Sequence, residues 1–203
     1  MHLHSRPAFR LLVVALGVGI LLRGTAFAQD RPKSPKTNSS TQIGDAWIDV
    51  TYSAPILRGR RDVFGSGDSY GQTIYAGAPV WRTGADVTTR IKTGLDLQIG
   101  GETLSAGEYS FFIELKEGAW TAIFSTQEYM EEPDRAKMAE GITWGAYGYS
   151  SDHDVLRAPM TVTVNPFSLD QMFIGFIDVT DAGGSLDVGW DNTIGSLAFT
   201  VAK

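Results

Sequence analysis

Apolar and polar residues alternate along much of the chain after residue 43. Apolar side chains recur at every second position in five segments, 46–52, 109–115, 156–164, 186–190 and 197–201. This period of two puts the apolar residues of a strand on one face, so each segment predicts a half-buried β-strand. Residues 172–179 are apolar on both faces, which predicts a central strand.

Turn signals separate the predicted strands, at Gly100-Gly101, Ala106-Gly107, Glu117-Gly118, Asn165-Pro166 and Gly183-Gly184. Several short strands with this spacing predict an all-β domain, either an antiparallel β-sandwich or a partly open barrel. Residues 133–140 predict at most one short surface helix, since Pro133 suits a first turn and Gly141 can end it. No repeat or linker interrupts residues 43–203, which predicts a single domain.

The first 28 residues have the features of a secretory signal peptide. Arg6 and Arg10 precede an apolar run over residues 11–22, and Ala26-Phe27-Ala28 supplies small residues around a cleavage site. The run is shorter than the ~20 residues that a membrane-spanning helix needs. Cleavage near Ala28 would give an exported chain, periplasmic or secreted, without stable membrane insertion. An uncleaved N-terminal anchor is the alternative.

Residues 29–42 are polar, contain two prolines and show no apolar periodicity. A segment that buries so little apolar surface cannot offset its ordering entropy, so it predicts a flexible leader ahead of the domain.

Charge and composition exclude several classes of function. Removing residues 1–28 takes away three arginines and no acidic residue, which leaves 14 Lys+Arg against 23 Asp+Glu. Such a chain is a poor partner for nucleic acid. There is no cysteine, and only His153 remains outside the predicted signal peptide. Disulfides, thiolate metal sites and multi-histidine zinc sites are therefore excluded, and no metal or cofactor is predicted.

The densest mixture of polar and aromatic residues is Trp81-Arg82-Thr83-Gly84-Ala85-Asp86. An arginine beside a tryptophan can hold a carboxylate through its planar fork, while Gly84 permits close approach of a ligand. Arg58, Arg60 and Arg157 could join Arg82 in a local cationic site. The alternative is that Arg82 and Asp86 pair as a structural latch.

A second candidate surface is Trp144-Gly145-Ala146-Tyr147-Gly148-Tyr149. Glycines on either side can leave aromatic rings uncovered for stacking on a sugar or a peptide, or they can let the rings pack against neighbouring strands. The two segments together give the candidate ligand-binding residues Trp81, Arg82, Thr83, Asp86, Trp144, Tyr147 and Arg157.

Six motifs follow one another along the chain: Tyr52-Ser53-Ala54-Pro55, Trp81 to Asp86, Ala106-Gly107-Glu108-Tyr109-Ser110, Trp120-Thr121, Trp144-Gly145 and Asp154-Val155-Leu156-Arg157. Their order resembles the bacterial domain-of-unknown-function family 2911, from about Ser34 to Lys203. The family pattern usually has Asn in place of Asp86 and of Ser125. The resemblance implies an exported domain of this extent and supplies no activity, cofactor or catalytic residue.

We therefore expect a non-enzymatic binding or structural domain of the cell envelope, with no catalytic residue. Its partner would be a glycan, a peptide, a small anion or an envelope protein. The alternative is a carboxylate-based hydrolase acting on envelope or extracellular sugars, with two acids from Asp49, Asp86, Glu108 and Asp154. A third possibility is that the Trp81–Asp86 block serves folding alone, by locking one sheet to another.

Overall fold

The computed structural model describes residues 32–202, so the predicted signal peptide lies outside the described residues. Nine strands pair antiparallel in one open sheet of order β1-β2-β3-β6-β7-β8-β9-β4-β5, which confirms the predicted all-β antiparallel class. Their bounds are β1 Lys36–Ile43, β2 Ala46–Ser53, β3 Arg90–Thr93, β4 Leu97–Ile99, β5 Glu102–Leu104, β6 Gly107–Glu114, β7 Trp120–Ser125, β8 Asp154–Thr180 and β9 Gly183–Val201.

Within residues 32–202, helical structure is confined to short segments between the strands. The helix predicted over residues 133–140 is confirmed as α2, Arg135–Ala139, and Gly141 follows it with a φ of +89°. A four-residue helix, α1, Gln72–Tyr75, was not predicted because one turn is too short to produce a 3.6-residue apolar pattern. Within residues 32–202, no helix has the length and hydrophobicity needed to cross a membrane.

Two local predictions were wrong. Residues 36–42 of the predicted flexible leader belong to β1, which pairs with β2 from Lys36 opposite Ser53 to Ile43 opposite Ala46. This strand has no apolar alternation to predict it, because its side chains are mostly polar and only Ile43 is buried. Residues 172–179 do not form a central strand. Among the described strands they pair with β9, the opposite edge makes only an isolated bridge between Gln171 and Ile56 and a hydrogen bond from Met172 N–H to the Pro55 carbonyl, and Ile177 is exposed.

An aromatic cluster fills the core beside the long connection between β2 and β3. The ring centroid of Trp120, on β7, lies 5.0 Å from that of Phe64 and 6.0 Å from that of Trp81. Trp81 is held there by two backbone hydrogen bonds of 2.9 Å with Ile113 of β6. The connection is therefore anchored to the sheet at Trp81, and this anchor positions the residues that follow it.

Candidate functional site

A cavity of about 650 Å³ lies where the β2–β3 connection meets β9. Apolar side chains from distant parts of the chain contribute to its wall, including Ile56, Ile74 and Trp190. Five charged residues also line it: Lys33, Arg58, Arg60, Arg82 and Asp86. Four of these five carry a positive charge, in a chain whose formal net charge is −6.

The backbone after Trp81 turns sharply to present Arg82 and Asp86 to this cavity. Thr83 and Asp86 have left-handed φ values of +50° and +57°, a conformation that costs a non-glycine residue on the order of 1–3 kcal/mol. Several hydrogen bonds hold the turn: Ala85 N–H donates to the carbonyl of Ser53 (3.0 Å), and the Thr89 hydroxyl donates to that of Thr83 (2.8 Å). The local strain is thus maintained by tertiary contacts.

Arg82 is more than nine-tenths buried, with a relative exposure of 8%. Its guanidinium carbon lies 4.9 Å from the ring centroid of Tyr147 and 5.6 Å from that of Trp144. These two rings stack on each other, with centroids 6.0 Å apart and an interplanar angle of 11°. The aromatic faces therefore stabilise the cation and fix its orientation.

The predicted latch between Arg82 and Asp86 exists in a different form. Arg82 Nη1 donates to the backbone carbonyl of Asp86 at 3.0 Å, and the Asp86 carboxylate takes no part. Among residues 32–202, no carboxylate lies within 4.0 Å of the Arg82 guanidinium. This buried cation consequently has no counter-ion in the described part of the chain.

Arg60 forms a second fixed cation on the cavity wall. Its Nε and Nη2 atoms donate to the carbonyls of Leu57 (3.1 Å) and Ile56 (2.8 Å). Its guanidinium carbon lies 5.2 Å from the ring centroid of Trp190, which is buried. The two carbonyls and the aromatic ring fix the position of the Arg60 guanidinium but carry no formal negative charge. Arg60 therefore adds to the positive potential of the cavity.

The candidate residues fall into three groups in the structure. Arg82, Asp86 and Trp81 line the cavity, but Trp81 is only 1% exposed and packs in the core. Thr83 is fully buried and holds the turn. Trp144 and Tyr147 are half-buried and contact the Arg82 guanidinium without lining the cavity.

The structure places Arg157 elsewhere, so it does not join Arg82. Arg157 Nη1 contacts Asp154 (2.8 Å) and the Tyr149 hydroxyl (3.1 Å), and Nη2 pairs with Glu114. Tyr149 in turn donates to Asp154 at 2.6 Å. Burial, and then this hydrogen bond, raise the pKa of the Tyr149 hydroxyl. Two carboxylates pair with Arg157, which lines a separate cleft.

The four acids considered for hydrolysis each line a different cavity. Asp86 borders the large one, while Asp49, Glu108 and Asp154 border three separate clefts. Glu108 is paired with Arg90 at 3.3 Å. Over residues 32–202, no three His, Cys, Asp or Glu side chains are grouped in a way that could hold a metal ion.

The grouping of Arg58 and Arg60 with Arg82 agrees with the sequence-based hypothesis, while other cavity residues were missed. Lys33 and Trp190 line the cavity although they lie far from Arg82 along the chain, and Ile74 lies on α1, the helix that was not predicted. In the sequence, the apolar alternation that includes Trp190 predicts a strand and gives no indication of a binding site. No local spacing could have indicated that its ring lies beneath Arg60.

Comparison with known proteins adds one match. Residues 34–199 match the model of a family described as a protein of unknown function (DUF2911). The matched region contains every charged residue of the cavity except Lys33. No curated protein and no solved structure matches the chain.

Proposed function

Because the chain belongs to the DUF2911 family, whose description states no activity, we propose a function from the cavity itself. The protein is an exported, non-enzymatic binding domain of the cell envelope, and its cavity holds a small anionic ligand. One observation carries this proposal: Arg82 is more than nine-tenths buried, lines an open cavity and has no carboxylate partner among the described residues.

A buried charge without a counter-ion is unfavourable, since the Asp86 carbonyl and the two aromatic rings replace only part of the hydration that burial removes. An anion in the cavity would supply the missing partner for Arg82. The same anion would experience the charges of Arg58, Arg60 and Lys33, and Asp86 is the one acidic residue among the described residues that line the cavity. Electrostatics therefore favour an anionic ligand over a neutral one.

The site is also organised before any ligand arrives. Arg82 is held by the carbonyl of Asp86 and by two aromatic rings, and Arg60 is held by two carbonyls and a third ring. Arginine side chains normally lose conformational entropy when they bind a ligand. Fixing them in advance reduces that cost, which is the arrangement expected of a binding site.

Thermal unfolding of the chain from Gln29 onward tests the proposal against a panel of glycans, peptides and small organic anions. A ligand at about 100 times its Kd stabilises a protein by about 2.7 kcal/mol. In a domain of this size that raises the Tm by about 5–10 °C. We expect such a rise in the wild type and its loss in Arg82→Gln. Arg135→Gln, an exposed arginine of α2 outside the cavity, is the matched control.

The proposal fails if no panel member raises the Tm, or if Arg82→Gln, shown by circular dichroism to be folded, responds as the wild type does. If a ligand is chemically altered after incubation with the protein, the proposal that the domain is non-enzymatic is wrong. N-terminal sequencing of the protein made by cells tests the export part, with Gln29 expected as the first residue.

A further inference from the structure

The hydrogen-bonding groups that Arg82 leaves free narrow the class of ligand. Nη1 is engaged by the Asp86 carbonyl. Within residues 32–202, Nε and Nη2 donate no hydrogen bond, and neither is among the polar atoms sealed from solvent without a partner. The free groups therefore form one edge of the guanidinium, with two N–H bonds pointing the same way.

A carboxylate matches that edge better than other acceptors. Its two oxygens accept two parallel N–H bonds from one arginine, a bidentate arrangement that is stronger and more specific than a single contact. A hydroxyl of a neutral sugar offers one oxygen and no charge, so it would leave the Arg82 charge unbalanced.

The cavity is also far larger than a simple anion requires. Its volume of about 650 Å³ lies within the range of small-molecule sites, about 300–1,000 Å³. Ile56 and Ile74, both half-buried, and the buried ring of Trp190 line it. An inorganic anion at Arg82 would leave these apolar groups in contact with water, whereas an apolar ligand body would cover them.

We infer that the ligand is an organic carboxylate, with its carboxylate on the free edge of Arg82 and its apolar body against Ile56, Ile74 and Trp190. This inference rests on the proposed function and deepens it. Two sources share the chemistry, a free aliphatic acid and the C-terminus of a peptide ending in an apolar residue.

Isothermal titration of the chain from Gln29 onward with matched probes tests the inference. Octanoate and the tripeptide Ala-Ala-Leu represent the two sources, and at least one should bind. Octanamide lacks the charge, and acetate lacks the apolar body. We expect each to bind at least about 10-fold more weakly than octanoate, given the usual worth of a charged hydrogen bond and of buried methylenes. For the peptide, Ala-Ala-Leu amide is the uncharged partner.

Variants of Arg82 separate the effect of its bidentate hydrogen bonding from the effect of its charge. Arg82→Lys keeps the charge and loses the bidentate geometry, so affinity for the carboxylate should fall about 10-fold or more. Arg135→Lys, at an exposed residue that does not line the cavity, should bind as the wild type does. If Arg82→Lys proves unfolded, the comparison of octanoate with octanamide on the wild-type chain still decides the question.

Three results would overturn the inference. Inorganic phosphate binding as tightly as octanoate, in an Arg82-dependent manner, would show an anion site without carboxylate selectivity and leave the proposed function intact. Equal binding of octanoate and octanamide would show that the charge is irrelevant. If neither octanoate nor Ala-Ala-Leu binds at millimolar concentration while another anion of the thermal panel does, the ligand is not an organic carboxylate and the proposed function stands. If no member of the panel binds either, both the inference and the proposed function fail.

Discussion

Gly145→Ala should displace the Arg82 side chain from its position. Gly145 has a φ of +64°, and a Cβ added there would lie 2.6 Å from Arg82 Cζ and 2.8 Å from the carbonyl oxygen of Asp86. Both separations are closer than real Cβ contacts allow. Thr88 fixes the backbone at this point by donating its hydroxyl hydrogen to the Gly145 carbonyl at 2.7 Å. The backbone therefore cannot retreat easily, and Arg82 must move.

The cost of Gly145→Ala has two parts. A left-handed conformation costs alanine about 1 kcal/mol or more, and overpacking typically adds about 1–3 kcal/mol. A total of about 3 kcal/mol corresponds to a Tm lowered by about 6–12 °C in a domain of this size. Gly148→Ala is the matched control, because Gly148 has a φ of +83° but its nearest atoms would lie at 3.6 and 3.7 Å. It should lose only about 2–4 °C.

Thermal melts followed by circular dichroism measure both variants, and a double-mutant cycle isolates the contact. In an Arg82→Ala background the colliding guanidinium is absent, so the cost of Gly145→Ala should fall by at least about 1 kcal/mol. The reasoning is refuted if Gly145→Ala costs no more than Gly148→Ala, or if its cost is the same with and without Arg82.

Three further expectations concern stability. Tyr52→Phe removes the hydroxyl that accepts from the buried Ile174 N–H at 3.0 Å, so the Tm should fall by about 2–10 °C in a thermal melt. Asp134→Ala removes the cap of α2, whose carboxylate accepts from the Ala136 N–H at 2.8 Å, and urea unfolding should show a loss of about 1 kcal/mol or less. The raised pKa of Tyr149 favours the neutral hydroxyl in the fold, so its contribution is complete below about pH 10 and is lost as pH rises above that value. Tyr149→Phe should therefore flatten the decline in unfolding free energy between about pH 9 and pH 11, and an unchanged decline would contradict the assignment.

Elements with a strong apolar pattern were predictable, and polar ones were not. β2 and β6 carry the alternation that a half-buried strand requires, and α2 is bounded by Pro133 and Gly141. β1 has no such pattern, because a strand of Ser, Thr and Asn is held by backbone hydrogen bonds to β2 and not by burial. A method based on hydrophobic periodicity cannot detect a strand of that kind.

The candidate site divides in the same way. Residue types indicated that Arg82, Arg58 and Arg60 belong to a cationic site, since arginines beside tryptophan and glycine are suited to anions. Residue types could not separate these from Arg157, because the difference lies in the partners: Arg157 contacts Glu114 and Asp154, whereas Arg82 lines the large cavity and has no carboxylate partner among the described residues. Asp154 lies three residues before Arg157 on the same strand, but Glu114 comes from β6, which lies near Arg157 only after the sheet has formed.

The sequence by itself determined the antiparallel β class and the arginines and aromatic residues available for binding, because strand periodicity and side-chain chemistry are local properties. Only the tertiary structure decided that Arg82 is buried without a carboxylate partner among the described residues, since that depends on side chains brought together from distant parts of the chain. The packing of Trp190 under Arg60, and of Tyr147 and Trp144 against Arg82, follows from the same long-range contacts.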